Sequence, residues 1–454
     1  MPTERVRGVR AAGACLPALA LALALVVPWV AAQAAVFQSW ALENGARVVF
    51  AESRALPIVD VAVDFRAGSA FDPPDRSGLA ALVQHLARTG AGGLGEEEIA
   101  RRFADVGAQF AGRVDTDRAG FTLRTLSSRA ERSIALGVFA RVVQSPDFPQ
   151  VPLERERARI AAQLREEASR PGILASRLFF QAAYGSHPYA NRPLGEAEGV
   201  RAITRETVLD FRRRHYNGVS AVVSIVGDLS RAEAEEIARQ VAGALPPGGV
   251  RAAVPPVASL AAAVVRRVAH PAQQSHIIVG VPAATWPDPD HFALLVGNHV
   301  LGGSGFSSRL FTEVRERRGY AYGVSSTLQP WLERGPLQLS LQTRKDQTDE
   351  ALAVLRTVLA EFIARGPTSE ELAAARRHLV NAFPLRLDTQ RELLDAAARI
   401  GFYDLPLDWY SRWSKQVERV TRADVIRAFR RLDPERLVTV VVGAPDETPP
   451  TRAR

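Results

Sequence analysis

Apolar residues recur along this chain at two spacings, and the alternation between them predicts its elements. Ala46–Ala51 and Val59–Phe65 are short runs rich in β-branched and aromatic residues, separated by a turn region around Pro57, and read as strands. Leu79–Ala87 has the helical period with one apolar face. Gly120–Leu126 and Leu337–Thr343 alternate as strands do, whereas Leu153–Leu164 and Leu372–Phe383 are long Arg/Ala helices. The stretch Leu245-Pro-Pro-Gly-Gly-Val-Arg-Ala-Ala-Val-Pro-Pro256 breaks all periodicity and predicts a linker. On either side of it the pattern repeats. Ile203-Thr-Arg-Glu-Thr-Val208 followed by Phe211 matches Val420-Thr-Arg-Ala-Asp-Val425 followed by Phe429, each opening on a Thr able to cap a helix. Each helix leads into an apolar strand closed by glycine, Val223–Gly227 and Thr439–Gly443. The economical reading is a duplication: two homologous α+β halves, each a mixed, mostly antiparallel sheet flanked by helices. The expected boundaries are 35–245 and 257–445 for the halves, 246–256 for the linker, and 446–454 for a disordered tail.

The N-terminus changes the picture of where the protein works. Arg5, Arg7 and Arg10 precede an apolar core from Leu16 to Val27, and Ala32-Gln33-Ala34 has the small-x-small form of a cleavage site. Residues 1–34 therefore read as a signal peptide, and the expected location is periplasmic. The alternative is an uncleaved anchor, since Ala11 to Ala35 is uncharged and long enough to span a bilayer, with the body still outside the cytoplasm. Membrane contact is expected only through that leader. Cys15, the single cysteine, lies within it, so the body has neither a disulfide nor a thiolate ligand. The 454 residues suit two domains, and 47% hydrophobic with 23% charged residues describes a globular protein rather than a disordered one. The formal charge of +8 is almost all arginine, and no basic run is interleaved with aromatics, so no nucleic-acid partner is expected.

Candidate chemistry centres on Gly78-Leu-Ala-Ala-Leu-Val-Gln-His-Leu, which is similar to the H-x-x-E-H helix of zinc peptidases. Ala81 and His85 are related as i and i+4 and share a helix face, as two metal ligands would. Ala has no lone pair, however, and the amide of Gln84, standing where the general base would be, takes no proton at neutral pH. His270, His276, His291, His299 and His378 are scattered and offer no ligand pair, while His187 invites a metal reading that the resemblance to these peptidases replaces with a turn role.

Beyond that helix, the chain resembles the insulinase/pitrilysin family of inverzincin metallopeptidases in its short two-repeat form, like the subunits of mitochondrial processing peptidase. The markers are Leu42-Glu-Asn-Gly-Ala-Arg-Val-Val-Phe, Arg66-Ala-Gly-Ser-Ala-Phe-Asp-Pro-Pro, Tyr184-Gly-Ser-His-Pro-Tyr189, Gly302-Gly-Ser-Gly-Phe-Ser-Ser-Arg-Leu-Phe311 and Arg315-Glu-Arg-Arg-Gly-Tyr-Ala-Tyr322. They span about 400 residues, the length less leader and tail. The resemblance implies a third zinc ligand on a later helix, a Glu in the family. Here that position is Gln163, with Glu156 as the retained carboxylate one helical segment earlier. A catalytic zinc needs three protein donors and an open position, and neutral amides substitute poorly. No cofactor is therefore expected on this chain. The resemblance further implies work in pairs, in which a zinc-free subunit lends an Arg and a Tyr to a zinc-bearing partner. Arg315 and Tyr322 match that pair as catalytic groups acting in trans. A guanidinium can hold a substrate carbonyl or carboxylate through two donors, and a phenol can donate to the oxyanion of amide hydrolysis. The family's Asn-Ala pair on the edge strand that receives the peptide is missing from Gly107-Ala-Gln-Phe-Ala-Gly112.

Three functions remain. The first is a non-catalytic subunit of an extracytoplasmic heteromeric zinc endopeptidase, inactive alone, with a zinc-bearing subunit and a peptide as partners. The second is a non-enzymatic peptide-binding or scaffold protein of the same fold. The third is an atypical stand-alone peptidase.

Overall fold

The computed structural model describes residues 36–443; the expected leader and tail lie outside the described residues. Among the described residues no helix is long and apolar enough to cross a membrane. The duplication legible in the sequence is explicit in the two large sheets. The N-terminal sheet runs, in spatial order, Phe37–Ala41, Arg47–Glu52, Ala221–Gly227, Ile58–Phe65, Ala119–Leu126, Gln109–Val114. The C-terminal sheet runs Val264–Ala269, Val438–Gly443, Gln274–Ala284, Gly335–Arg344, Ala321–Leu328. Apart from the additional strand Phe37–Ala41, the two orders are the same. So are the directions: one parallel pair in each half, Arg47–Glu52 with Ala221–Gly227 and Val264–Ala269 with Val438–Gly443, and antiparallel pairing elsewhere. The residues between Leu245 and Val264 form no helix or strand.

Local sequence accounts for the frame. Thr204 and Thr421 cap their helices as expected, each hydroxyl accepting from the backbone N–H three residues on and closing a capping box. The strands Ala221–Gly227 and Val438–Gly443 are buried along their whole length, which requires cover on both faces of each sheet. One cover comes from the half's own helices: Leu82, Phe139 and Phe211 in the first core, Leu301, Phe362 and Phe429 in the second.

The second cover is exchanged between the halves. Helix Pro171–Tyr184, from the first half, lies on the C-terminal sheet, with Ala175, Phe179 and Ala183 packed on Val438, Val440 and Val442. Helix Gln390–Phe402, from the second half, lies on the N-terminal sheet, with Leu394, Ala397 and Ile400 against Val49, Ala62 and Val222. The approach is close. A Cβ on Gly401 would fall 2.4 Å from Val222 Cγ1. Gln390 Nε2 donates to the carbonyls of Ile58 (3.1 Å) and Val226 (3.0 Å), binding the helix start to the sheet backbone. Buried Asp117 completes the junction, accepting from Tyr189 Oη (2.8 Å), Tyr403 Oη (3.1 Å) and the Leu332 N–H (2.8 Å). Burial pushes its carboxyl up to about 6, against these three donors.

Candidate functional site

The motif helix, Leu79–Leu86, is seated by apolar residues on one side and a carboxylate at its start. Leu79, Leu82, Val83 and Leu86 are buried in the first core. Asp72 accepts from the Gly78 N–H and the Ala80 N–H, both at 2.7 Å, satisfying two of the helix's orphan donors. Complete burial outweighs those bonds and raises the Asp72 carboxyl to about 8. Gly78 turns the chain into the helix at φ 93°, and a Cβ there would lie 2.7 Å from the Leu194 carbonyl, so glycine is required twice over. The helix packs beside the long helix Gln150–Ala168 and the edge strand Gln109–Val114.

These neighbours bring together the positions singled out from the sequence. Ala81 offers only its buried methyl. Gln84 is buried against the edge strand without a hydrogen bond to any described residue, and a Cβ on Gly112 would meet its Nε2 at 1.6 Å. His85 Nε2 lies 3.1 Å from Glu156 Oε2. The same carboxylate oxygen accepts from Arg159 Nε at 2.6 Å, and Arg155 Nε stands 3.4 Å from the other oxygen. Arg159 also reaches Gln163 Oε1 at 3.4 Å, and Gln163 Nε2 donates to Glu167 at 3.0 Å; Glu167 in turn pairs with Arg192. Arg88 stands 3.3 Å from His85 Nε2. Burial lowers the His85 pKa, Glu156 acts against that, and Arg88 and Arg159 lower it further, leaving a neutral ring at neutral pH. Burial pushes Glu156 up, but Arg159, His85 and Arg155 outweigh it and hold the carboxyl below its usual range.

These residues do not fit zinc. The imidazole nitrogen that faces the site is engaged with Glu156, the two other ligand positions are a methyl and a carboxamide, and a fixed guanidinium stands beside them. Among the described residues no group of three or more His, Cys, Asp or Glu side chains is placed to hold a metal ion. The cation that bridges Glu156 and Gln163 is Arg159. The sequence reading missed Arg88, Arg159 and Arg192, although the i, i+3 spacing of Glu156 and Arg159 and the i, i+4 spacing of Arg159 and Gln163 carried part of the signal.

Arg315 and Tyr322 are also brought together, on the C-terminal half. Arg315 sits on a wide helical turn, Phe311–Glu316, and Tyr322 on the edge strand Ala321–Leu328, where the pairing register slips between Ala321 and Val324. The Arg315 guanidinium lies 4.5 Å above the Tyr322 ring and 4.7 Å above the Phe311 ring. Its side chain forms no ion pair among the described residues, and Tyr322 is 85% exposed. Tyr322 borders a groove of about 510 Å³ that Gly172, His276 and Ser340 also line. No hydrogen bond, ion pair or ring contact joins this pair to His85 or Glu156. Elsewhere, His187 takes the expected turn role, its Nδ1 accepting from the Tyr189 N–H at 3.1 Å. His299 and His378, distant in sequence, stack at 4.9 Å.

Comparison with known proteins agrees with the two-half α+β fold. Residues 47–196 match the family model described as insulinase (peptidase family M16), and residues 202–379 match that of the peptidase M16 inactive domain. The crystal structure of a peptidase M16 inactive domain from Pseudomonas fluorescens superposes with a TM-score of 0.86 at 35% identity, covering 90% of this chain and 98% of that one. An uncharacterized zinc protease of Streptomyces coelicolor is 26% identical over 373 residues, 80% of this chain and 79% of that protein. A protein of Helicobacter pylori named a non-peptidase homolog, YmxG, is 24% identical over 384 residues, covering 83% of this chain and 87% of its own.

Proposed function

The chain belongs to the insulinase family of peptidases, family M16, and on that premise we propose that it is a non-catalytic subunit of a heteromeric, extracytoplasmic zinc endopeptidase. Arg315 and Tyr322 are its contribution to a peptide held by a zinc-bearing partner. The observation that carries this reading is the contrast between two sites. Around His85 the Glu156 carboxylate and the guanidinium groups of Arg155 and Arg159 are tied to one another, whereas Arg315 and Tyr322 are held together with their donors unspent. The partner's metal would supply Lewis-acid activation. Tyr322 donates its hydroxyl proton in a hydrogen bond to the developing oxyanion, and Arg315 orients the peptide through paired donors. Stacking of the guanidinium on the phenol ring fixes both directions without consuming an N–H. Location outside the cytoplasm follows from the leader-like sequence of residues 1–34.

The test is reconstitution with a chain of the same family that carries an intact H-x-x-E-H motif. The pair should hydrolyse peptides that neither subunit cleaves alone, and Tyr322→Phe should lower the rate by about 10²-fold or more. Full activity of the Tyr322→Phe pair would remove the in-trans role, and a pair without activity would leave the binding or scaffold role as the function.

A further inference from the structure

The chain's aromatic residues are unevenly spent. Four of its six tryptophans, Trp286, Trp331, Trp409 and Trp413, line one cavity of about 530 Å³ between the exchanged helix Gln390–Phe402 and the C-terminal half. That volume lies within the roughly 300–1,000 Å³ of small-molecule sites. Trp286, His291, Phe292 and Trp409 form a continuous cluster of rings with centroids 4.4 to 5.8 Å apart. Trp286 and Trp409 are only partly buried, so aromatic surface faces the cavity rather than being consumed by the core.

Two arginines that line this cavity have no carboxylate partner among the described residues. Arg386 makes no side-chain hydrogen bond or ion pair to any described residue; its guanidinium stands 5.8 Å from the Trp413 ring centroid. Arg399 donates once, from NH1 to Tyr410 Oη at 2.8 Å, and lies 6.0 Å from the Trp286 centroid. A guanidinium carries five N–H donors, so most of this capacity is open to a ligand. The wall's acidic groups are already engaged: Glu392 closes the capping box at Thr389, and Asp395 accepts from Arg113 at 3.2 Å. Among described residues where most arginines are paired, two without a carboxylate beside clustered indoles define a complementary shape.

The geometry points to a binding site for a ligand that joins a planar aromatic ring to a carboxylate. The ring stacks among Trp286, Trp409 and Trp413, and the carboxylate accepts from Arg386 and Arg399. That chemistry belongs equally to a free aromatic acid and to an aromatic residue at the free C-terminus of a peptide. The inference does not depend on the in-trans role of Arg315 and Tyr322, and it is tested on this chain alone.

The lining tryptophans provide the signal. N-acetyl-phenylalanine and the peptide Gly-Gly-Gly-Phe with a free C-terminus are titrated against the purified chain while tryptophan emission is followed. At least one should give a saturable change, and which one does identifies the source. The corresponding C-terminal amides, with the same ring and no carboxylate, should bind at least tenfold more weakly. Arg386→Gln with Arg399→Gln should weaken the acid tenfold or more with unchanged melting. If the double variant does not fold, Arg386→Gln alone, an exposed position without a hydrogen bond, carries the measurement and should weaken binding by about threefold or more. Absence of any saturable change, equal binding of acid and amide, or wild-type affinity in a folded arginine variant would overturn the assignment.

Discussion

Arg159 decides what the motif helix can no longer do. Its guanidinium touches Glu156 and Gln163, and Glu156 in turn holds His85, so a built-in cation neutralises the carboxylate that a metal ion would otherwise help to balance. Restoring ligands alone therefore leaves two like charges competing for one place. Ala81→His with Gln84→Glu and Gln163→Glu is expected to bind zinc well below one equivalent by elemental analysis after dialysis. Adding Arg159→Ala should raise it toward one equivalent, and stoichiometric zinc in the triple variant would refute the electrostatic account. The loss of donors was legible in the sequence, because it needs only the identities at 81, 84, 85 and 163. The replacement charge was not, because a surface Arg on an Arg-rich helix looks like any other. His291 gives a second residue-scale expectation. Burial among aromatic rings lowers its pKa to about 4, with Asp288 acting against this and Arg399 adding to it. The unfolded chain takes up its proton near pH 6.5 and the folded one near 4. The associated stability is thus present above pH 6.5 and is lost as pH falls through that window, by about 3 kcal/mol at most. His291→Phe should flatten the urea-unfolding profile between pH 7 and pH 4.5. An unchanged slope in that variant would show that the ring carries no such linkage.

At the scale of elements, the motif helix and the edge strand Gln109–Val114 meet where Gln84 crosses Gly112. A methyl group on Gly112 would overlap Gln84 Nε2, so Gly112→Ala must displace a buried amide. The loss should be about 1–3 kcal/mol by chemical denaturation, and Gln84→Ala in the same chain should recover most of it. Additive effects of the two substitutions would mean that the contact does not couple helix to strand. This junction was half legible. Glycine within a strand marks close approach of another group, but the sequence alone does not say which group. The caps at Thr204 and Thr421 were legible as a Thr at each helix start, whereas the return bonds from Thr207 and Asp424 that close the boxes were not. The motif helix was expected to end at Ala87 and ends at Leu86, and the strand expected over Leu337–Thr343 extends over Gly335–Arg344. Periodicity fixes the centre of an element, whereas tertiary pairing sets its ends.

An unbroken apolar strand near each half's end is the pattern of a sheet covered on two faces, but an amphipathic helix does not reveal which sheet receives its apolar side. For that reason the exchange of Pro171–Tyr184 and Gln390–Phe402 emerges only from the structure. Its consequence concerns the molecule as a whole. Each half, taken alone, would expose one face of its sheet and carry a helix whose apolar side has nothing to cover. Neither half can then unfold without uncovering the core of the other, so calorimetry should give one transition for the whole described region. Separately expressed halves should aggregate or remain molten. Gly401→Val offers a local probe of this coupling, because its side chain would drive into Val222 and Val49 and lift the exchanged helix from the N-terminal sheet. In that variant the melting temperature should fall by several degrees, corresponding to about 1–3 kcal/mol. Protection of backbone amides from exchange should decline in the strands Ala221–Gly227 and Val438–Gly443 together, although only the first touches the substituted residue. Loss of protection confined to the N-terminal sheet would mean that the halves fold as independent domains, and that the exchanged helices rest on the opposite sheets without binding them into one cooperative unit.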